Sequence, residues 1–252
     1  MSATDGLEPY APLGVLKPLG RDIWLVDGPV VRMRYVAGTL PFTTRMTVAR
    51  LPDGGLWLHS PVALTSGLLA EIRALGRVAA LVAPNGLHWE ALADWQAVFP
   101  DVETWGAPGL AEKAAARGYR IDHELGDTAP LAWGDAIAQV LVAGGLMTEA
   151  VFLHRKSSTL IVTDLIENFE RGRVRGGILR FVMRFGGVVD PRGSTPRDLR
   201  LTYVGRRRQV RAAVETMLRW RPERVVLSHG RPYLRDGTAE LRRAMAWTGA
   251  RG

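Results

Sequence analysis

The sequence predicts an α/β fold, and three observations carry that reading. Residues 22–58 alternate short apolar runs with turn signals, as a β-meander does. Residues 65–105 then switch between helical and strand periodicity, which implies parallel strands joined by crossover helices. Three apolar strands also lead into a histidine or an aspartate, the position where ligands and catalytic groups gather in open α/β sheets.

The elements follow in order. Segments 22–26 and 30–35 bracket a turn at Asp27-Gly28-Pro29, and 44–51 and 56–59 bracket another at Pro52-Asp53-Gly54-Gly55. Residues 65–75 place apolar side chains at 68, 69, 72 and 75, with Thr65 as helix cap and Gly76 just past the end. The run 78–83 is a continuous apolar strand that leads into Pro84-Asn85-Gly86-Leu87-His88. A helix over 89–99 is stopped by Pro100-Asp101, a strand covers 102–105 and a helix covers 109–118. Irregular chain at 123–133 precedes a strand at 137–142. The apolar runs 150–153 and 160–163, with four polar residues at 155–158 between them, read as a tight hairpin whose second strand stops at Asp164. Basic and apolar residues fill a helical segment at 171–185, followed by a loop at 186–196 and a helix at 205–220. The strand 225–227 delivers Ser228-His229-Gly230, and a last helix covers 238–248. No linker divides the chain, so one domain is expected over 1–252, with 1–20 as an N-terminal extension and 171–211 as a basic insertion.

Composition narrows the classes. With 47% apolar residues in 252, the chain can bury a sizeable core. The absence of cysteine excludes disulfides, thiolate zinc sites and cysteine nucleophiles. Residues 1–18 lack the basic stretch and apolar core of a signal peptide, and no apolar run approaches the roughly 20 residues of a membrane span, so a cytoplasmic protein is expected. Net charge is +8, and residues 155–211 alone hold fourteen Lys or Arg against five Asp or Glu, a local balance of +9. Such a segment suits an anionic substrate, an anionic membrane surface or another anionic partner, and equally a solvated basic face. No nucleic-acid reading motif occurs.

The chemistry converges on strand ends. A carboxylate after a buried strand is costly without a cation, a metal or N–H donors beside it, so Asp164 needs a partner. His88 and His229 follow the other two apolar strands. Histidine and aspartate suit Zn²⁺ or Fe²⁺. His59 and His154 read as structural, Trp57, Trp89, Trp95 and Trp105 as core or sheet-end residues, and no G-x-S-x-G elbow supports a serine hydrolase.

The meander, the late strand ending Ser-His-Gly and the strand ending Thr-Asp together resemble the metallo-β-lactamase fold, a four-layer αββα sandwich. Within it the chain is similar to an uncharacterised domain family marked by L-W-L-H-S-P-V at 56–62, V-A-P-N-G-L-H at 82–88, Trp95, Phe99-Pro100 and E-A-V-F-L-H-R-K-S-S-T-L-I-V-T-D-L at 149–165. The resemblance covers roughly 20–245. Metal-binding members carry H-x-H-x-D-H after the strand that here ends at Ala83, whereas this chain has Pro84 to Trp89 with one histidine, His88, where the aspartate belongs. The G-H-T-x-G motif is replaced by Gly144-Gly145-Leu146-Met147-Thr148-Glu149. Asp164 matches the bridging aspartate and His229 the final histidine.

These departures argue against a two-metal site. The resemblance leaves a single-metal site built from His88, Glu149, Asp164 and His229, with one Zn²⁺ or Fe²⁺ and Asp164 as ligand or catalytic base. That site implies a hydrolase of an ester, lactone, thioester or phosphodiester, drawing an anionic substrate to the basic segment. A metal-free protein in which Asp164 and His229 form a hydrogen-bonded pair and the cleft binds a ligand explains the same two residues. A third reading gives the basic segment the main role, with Arg171, Arg173, Arg175, Arg180 and Arg184 among apolar residues as a surface-binding amphipathic helix. Glu149 is expected to pair with Arg155 or Lys156 if it binds no metal.

Overall fold

Apolar strands with helices on one side and another sheet on the other must bury both faces, and this chain does so in four layers. In a computed structural model, residues 6–35, 38–145 and 147–251 are described. Residues 1–5 of the N-terminal extension and Leu146 of the 144–149 loop lie outside them. The strands are β1 (Lys17–Gly20), β2 (Ile23–Asp27), β3 (Val31–Tyr35), β4 (Gly38–Phe42), β5 (Arg45–Arg50), β6 (Leu56–His59), β7 (Val78–Ala83), β8 (Glu103–Gly106), β9 (His123–Glu124), β10 (Ile137–Ala143), β11 (Thr148–His154), β12 (Thr159–Ile161) and β13 (Arg224–Val226). The helices are α1 (Ser66–Leu75), α2 (Leu92–Val98), α3 (Leu110–Ala115), α4 (Gly177–Gly186), α5 (Arg197–Thr202), α6 (Arg207–Arg219) and α7 (Gly237–Ala244).

A seven-stranded sheet runs β1-β2-β5-β6-β7-β8-β9, and a four-stranded sheet runs β10-β11-β12-β13. Between them lies a core of Ile23, Trp57, Val82, Trp133, Phe152 and Ile161. On the outer face of the larger sheet, Leu58 and Leu81 pack with Leu68 and Ile72 of α1, Trp95 of α2 and Leu110 of α3. The smaller sheet carries Val210, Val214 and Met217 of α6 and Leu241 of α7. This is the αββα sandwich expected from the sequence. Local signals explain the elements: Thr65 Oγ1 accepts the Leu68 N–H at 3.2 Å to cap α1. The unbroken apolar run of β7 follows from its parallel pairing between β6 and β8, with layers on both faces.

The structure corrects several expectations. The segment 30–35 does not fold back on 22–26: β2 pairs with β1 and β5, while β3 pairs with β4 as a separate hairpin. The reason lies at Gly28, whose N–H continues the β2–β5 ladder to the Thr44 carbonyl at 2.9 Å instead of turning back. A Cβ there would lie 2.3 Å from Thr44 Oγ1, so the close approach requires glycine. Part of the N-terminal extension, Lys17–Gly20, is an edge strand of the larger sheet. The strand before Asp164 ends at Ile161, not at Asp164 itself. Of the segment 171–185, Arg171–Arg173 is a 3₁₀ turn, and the α-helix begins only at Gly177, after Gly176 at φ +87°. Helix α5 has no counterpart in the sequence reading, because its six residues are too few to show a period.

Candidate metal centre

His88, Asp164 and His229 come from three separate loops at one end of the two sheets, and one donor atom from each lies within 4.8 Å of the others. Asp164 and His229 are buried, and the His88 side chain is 7% exposed. His229 Nε2 is 3.0 Å from Asp164 Oδ1, His88 Nε2 is 3.3 Å from Asp164 Oδ2, and the two Nε2 atoms are 3.2 Å apart.

The opposite side of each ring is tied down. His229 Nδ1 lies 2.6 Å from the Thr43 carbonyl oxygen, an obligate acceptor, so Nδ1 carries a proton and Nε2 faces the cluster. His88 Nδ1 lies 2.8 Å from Ser60 Oγ. Phe42 packs edge-on against the His229 ring with centroids 5.0 Å apart, closing one side to water.

The loops are fixed by further buried groups. Asn85 Oδ1 accepts the Leu87 and His88 N–H groups at 2.8 and 3.0 Å, which folds the 84–89 loop and sets His88. Its Nδ2 donates to Asp164 Oδ2 at 2.6 Å and to Thr163 Oγ1 at 2.9 Å. The 227–230 turn is clamped by Arg45, 3% exposed, whose Nη1 donates to the Leu227 and Gly230 carbonyls at 2.5 and 2.9 Å. Asp27, in turn, accepts from Arg45 Nε at 2.8 Å and from Lys17 Nζ at 2.7 Å. Gly230 has φ +100°, and a Cβ there would lie 2.2 Å from the Asn168 carbonyl oxygen, so this turn also requires glycine.

Glu149 stands behind the cluster, not in it. Its Oε1 accepts the Thr163 N–H at 2.7 Å, and its Oε2 accepts the Asp164 and Leu165 N–H groups at 2.9 Å each. The pairing with Arg155 or Lys156 expected from the sequence is corrected: Glu149 is fully buried on β11, while both cations are exposed and Lys156 pairs with Asp22. Burial, then the charge of Asp164, pushes the Glu149 carboxyl up to about 7, against the pull of the backbone donors. Burial also acts to raise Asp164, but the His88 and His229 rings, by charge and by hydrogen bonding, outweigh it and hold that carboxyl below the usual carboxylate range.

His59 and His154 are placed as structural groups. His59 stacks on Trp57 at 5.3 Å, and burial pulls its ring down to about 3, so it stays neutral. His154 Nδ1 meets Ser157 Oγ at 2.7 Å.

A cleft of about 700 Å³ opens onto His88 and His229, with Arg32, Arg34 and Met33 of the β3–β4 hairpin on one wall and Trp89 and Arg117 on another. Arg117 lies 4.9 Å above the Trp89 ring and pairs with Glu90 at 2.6 Å. The residues that sequence reasoning missed are Thr43, Arg45 and Ser60. Each acts through contacts with loops distant in sequence, and only the buried arginine in an apolar strand hints at such a role.

The arrangement has close parallels in overall shape. DIM-1 metallo-β-lactamase superposes with a TM-score of 0.61 at 14% identity over 96% of this chain and 97% of that one. A metallo-β-lactamase from Hirschia baltica gives 0.59 at 17% identity over 94% and 98%. FIM-1 from Pseudomonas aeruginosa, in its mono-zinc form, gives 0.58 at 11% identity over 97% and 96%. The molecule thus has the metallo-β-lactamase fold. No curated protein sequence matches it. Residues 23–174 match the family described as "Domain of unknown function (DUF4336)", and the chain belongs to that family.

Proposed function

We propose that the protein is a hydrolase that uses a single divalent metal ion held by His88, Asp164 and His229. One observation carries this reading: two imidazoles anchored through Nδ1 and one carboxylate aim their free atoms at a common point. The donor set fits Zn²⁺ or Fe²⁺, since two histidines and a carboxylate with one open position form an accepted catalytic site. The spacing is compatible with this: one donor atom from each residue lies within 4.8 Å of the others, and the two Nε2 atoms are 3.2 Å apart.

When bound, a divalent ion supplies Lewis acidity and lowers the pKa of its water to roughly 7. The chain supplies the rest. Glu149 and Asn85 orient Asp164, Thr43 and Ser60 orient the two imidazoles, and Phe42 keeps one side dry. Arg32 and Arg34 give the cleft a cationic wall for an anionic ester, thioester, lactone or phosphodiester, opposite the Arg117–Glu90 pair and Asp94, with Met33 and Trp89 for its apolar part. FIM-1 in its mono-zinc form supports the reading, since one ion suffices to occupy a site on this fold.

The test is chelator-stripped protein reloaded with Zn²⁺, Fe²⁺ or Mn²⁺ and assayed on chromogenic esters, thioesters, lactones and phosphodiesters. Metal-dependent turnover lost in Asp164→Ala is expected. Uptake of less than about a tenth of an equivalent of every ion would remove the hydrolase and leave a metal-free binding protein with the same cleft.

A further inference from the structure

Helix α4 is amphipathic in an unusual sense. Leu179 and Met183 turn inward, Met183 onto a core with Phe42, Phe169 and Val188. Ile178, Phe181 and Phe185 turn outward and are 84%, 68% and 66% exposed. With Val182 they occupy positions i, i+3, i+4 and i+7, a single stripe along the helix that faces solvent. Phe181 and Phe185 stack on each other at 6.3 Å, and Arg197 of α5 lies 5.7 Å over the Phe185 ring. One turn beyond Arg197, Leu201 is 72% exposed. Contiguous exposed apolar side chains of this size mark a contact surface.

Beside this stripe is a cavity of about 460 Å³ lined by Arg171, Arg180 and Arg184 together with Phe169, Met183 and Val189, and no carboxylate lines it. Across residues 171–211 there are twelve arginines against two acidic residues, Asp190 and Asp198, a balance of +10. A second copy of the chain docked on this patch would set arginine against arginine. A surface that is apolar along one line and anionic around it complements both features, and an anionic lipid bilayer is such a surface. Among the described residues no helix is long and apolar enough to cross a membrane, which fits a helix that lies on the interface.

We propose that α4 docks the protein on an anionic lipid bilayer. Ile178, Phe181, Val182 and Phe185 enter the interface, and Arg171, Arg180 and Arg184 hold lipid phosphates. This docking is independent of the metal centre.

Co-sedimentation with vesicles tests it, using the full chain after chelator treatment. Wild type is expected to bind phosphatidylcholine vesicles containing about 30% phosphatidylglycerol at least tenfold better than pure phosphatidylcholine, since each arginine near the surface contributes measurably. Phe181→Ser/Phe185→Ser and Arg171→Gln/Arg184→Gln should each weaken binding about tenfold or more. All four residues are exposed, so neither variant should shift the melting temperature. Asp164→Ala should bind as wild type does, which separates this surface from the metal site. The proposal is overturned if wild type ignores anionic vesicles, if either double variant binds as well as wild type, or if Phe181→Ser/Phe185→Ser instead splits a solution dimer that binds no vesicles.

Discussion

The Nε2 atoms of His88 and His229 face each other at 3.2 Å across a buried point that Asp164 also faces. Three electron-rich atoms in that position repel one another unless a proton or a cation lies between them. A divalent ion at about 100 times its dissociation constant should therefore stabilise the fold by roughly 2.7 kcal/mol, which raises the melting temperature by about 5–10 °C for a chain of this size. His88→Ala and His229→Ala should abolish the shift. A melting temperature that is the same with Zn²⁺, with Fe²⁺ and with chelator would refute the site by a route that needs no substrate.

Ser60 provides a finer probe. Its hydroxyl is 2.8 Å from His88 Nδ1, and it fixes that ring without touching the donor point. Ser60→Ala should weaken Zn²⁺ binding about tenfold or more in competition with a chromophoric chelator, while the melting temperature of the metal-free protein changes little. Unchanged affinity would mean that the Asn85 loop alone sets His88.

Glu149 separates support from ligation. Its two oxygens accept three backbone N–H groups of the Thr163-Asp164-Leu165 turn. Glu149→Gln swaps one acceptor for a donor facing those amides. The expected loss is about 1–3 kcal/mol, or some 2–12 °C in melting temperature, with Zn²⁺ affinity falling because Asp164 moves. If the variant keeps its stability but loses metal, Glu149 is a ligand and the turn is held by other means.

The parts of this molecule that sequence exposes are those written in local periodicity and in residue chemistry. The run 78–83 and the stripe at 68, 72 and 75 specify β7 and α1 without further information. His88, Asp164 and His229 stand out because charged or imidazole groups after apolar strands are expensive to bury. What stayed hidden depends on pairing across long separations. Thr43 supports His229 through a backbone carbonyl 186 residues away, which no side-chain pattern can encode. Strand β4 contains Pro41, and proline in a short run argues against a strand, although the edge hairpin with β3 tolerates it. Helix α4 was legible in its charge and apolar content. That its apolar stripe faces away from the core was not, because periodicity shows that a stripe exists without showing what covers it.

Glu167 gives the protein a pH dependence. It is 5% exposed, and burial above all, then the nearby carboxylates against the pull of His229, pushes its carboxyl up to about 8. The folded state therefore binds the proton more tightly than the unfolded chain does. The stabilisation is complete below the unfolded value near 4.5 and is lost as pH rises towards 8. Chelator-treated wild type should melt at progressively lower temperature between pH 5 and 8 in thermal scans. Glu167→Gln should reduce that slope, leaving the part below about pH 7 that the raised Glu149 carboxyl contributes, and be the more stable of the two at pH 8. A parallel decline in both proteins would place the titration elsewhere.

Arg45 and Asp27 form the deepest charged pair near the site, at 2.7 Å, and the arginine also holds the carbonyls of Leu227 and Gly230. Removing the cation leaves Asp27 buried with only Lys17 for company and frees two acceptors in the turn that carries His229. Arg45→Met should cost about 1–3 kcal/mol in denaturant unfolding, the penalty for leaving buried acceptors without a donor while Lys17 still pairs Asp27. Asp27→Leu on the same background removes the carboxylate that has lost one of its two cations, so the double variant should be less destabilised than the sum of the singles. The Leu227 and Gly230 carbonyls stay unpaired in that double variant, however. Its Zn²⁺ affinity should therefore remain low even as stability recovers, because the turn that carries His229 has lost two of its anchors. Recovery of both properties together would show that Arg45 serves only to neutralise Asp27.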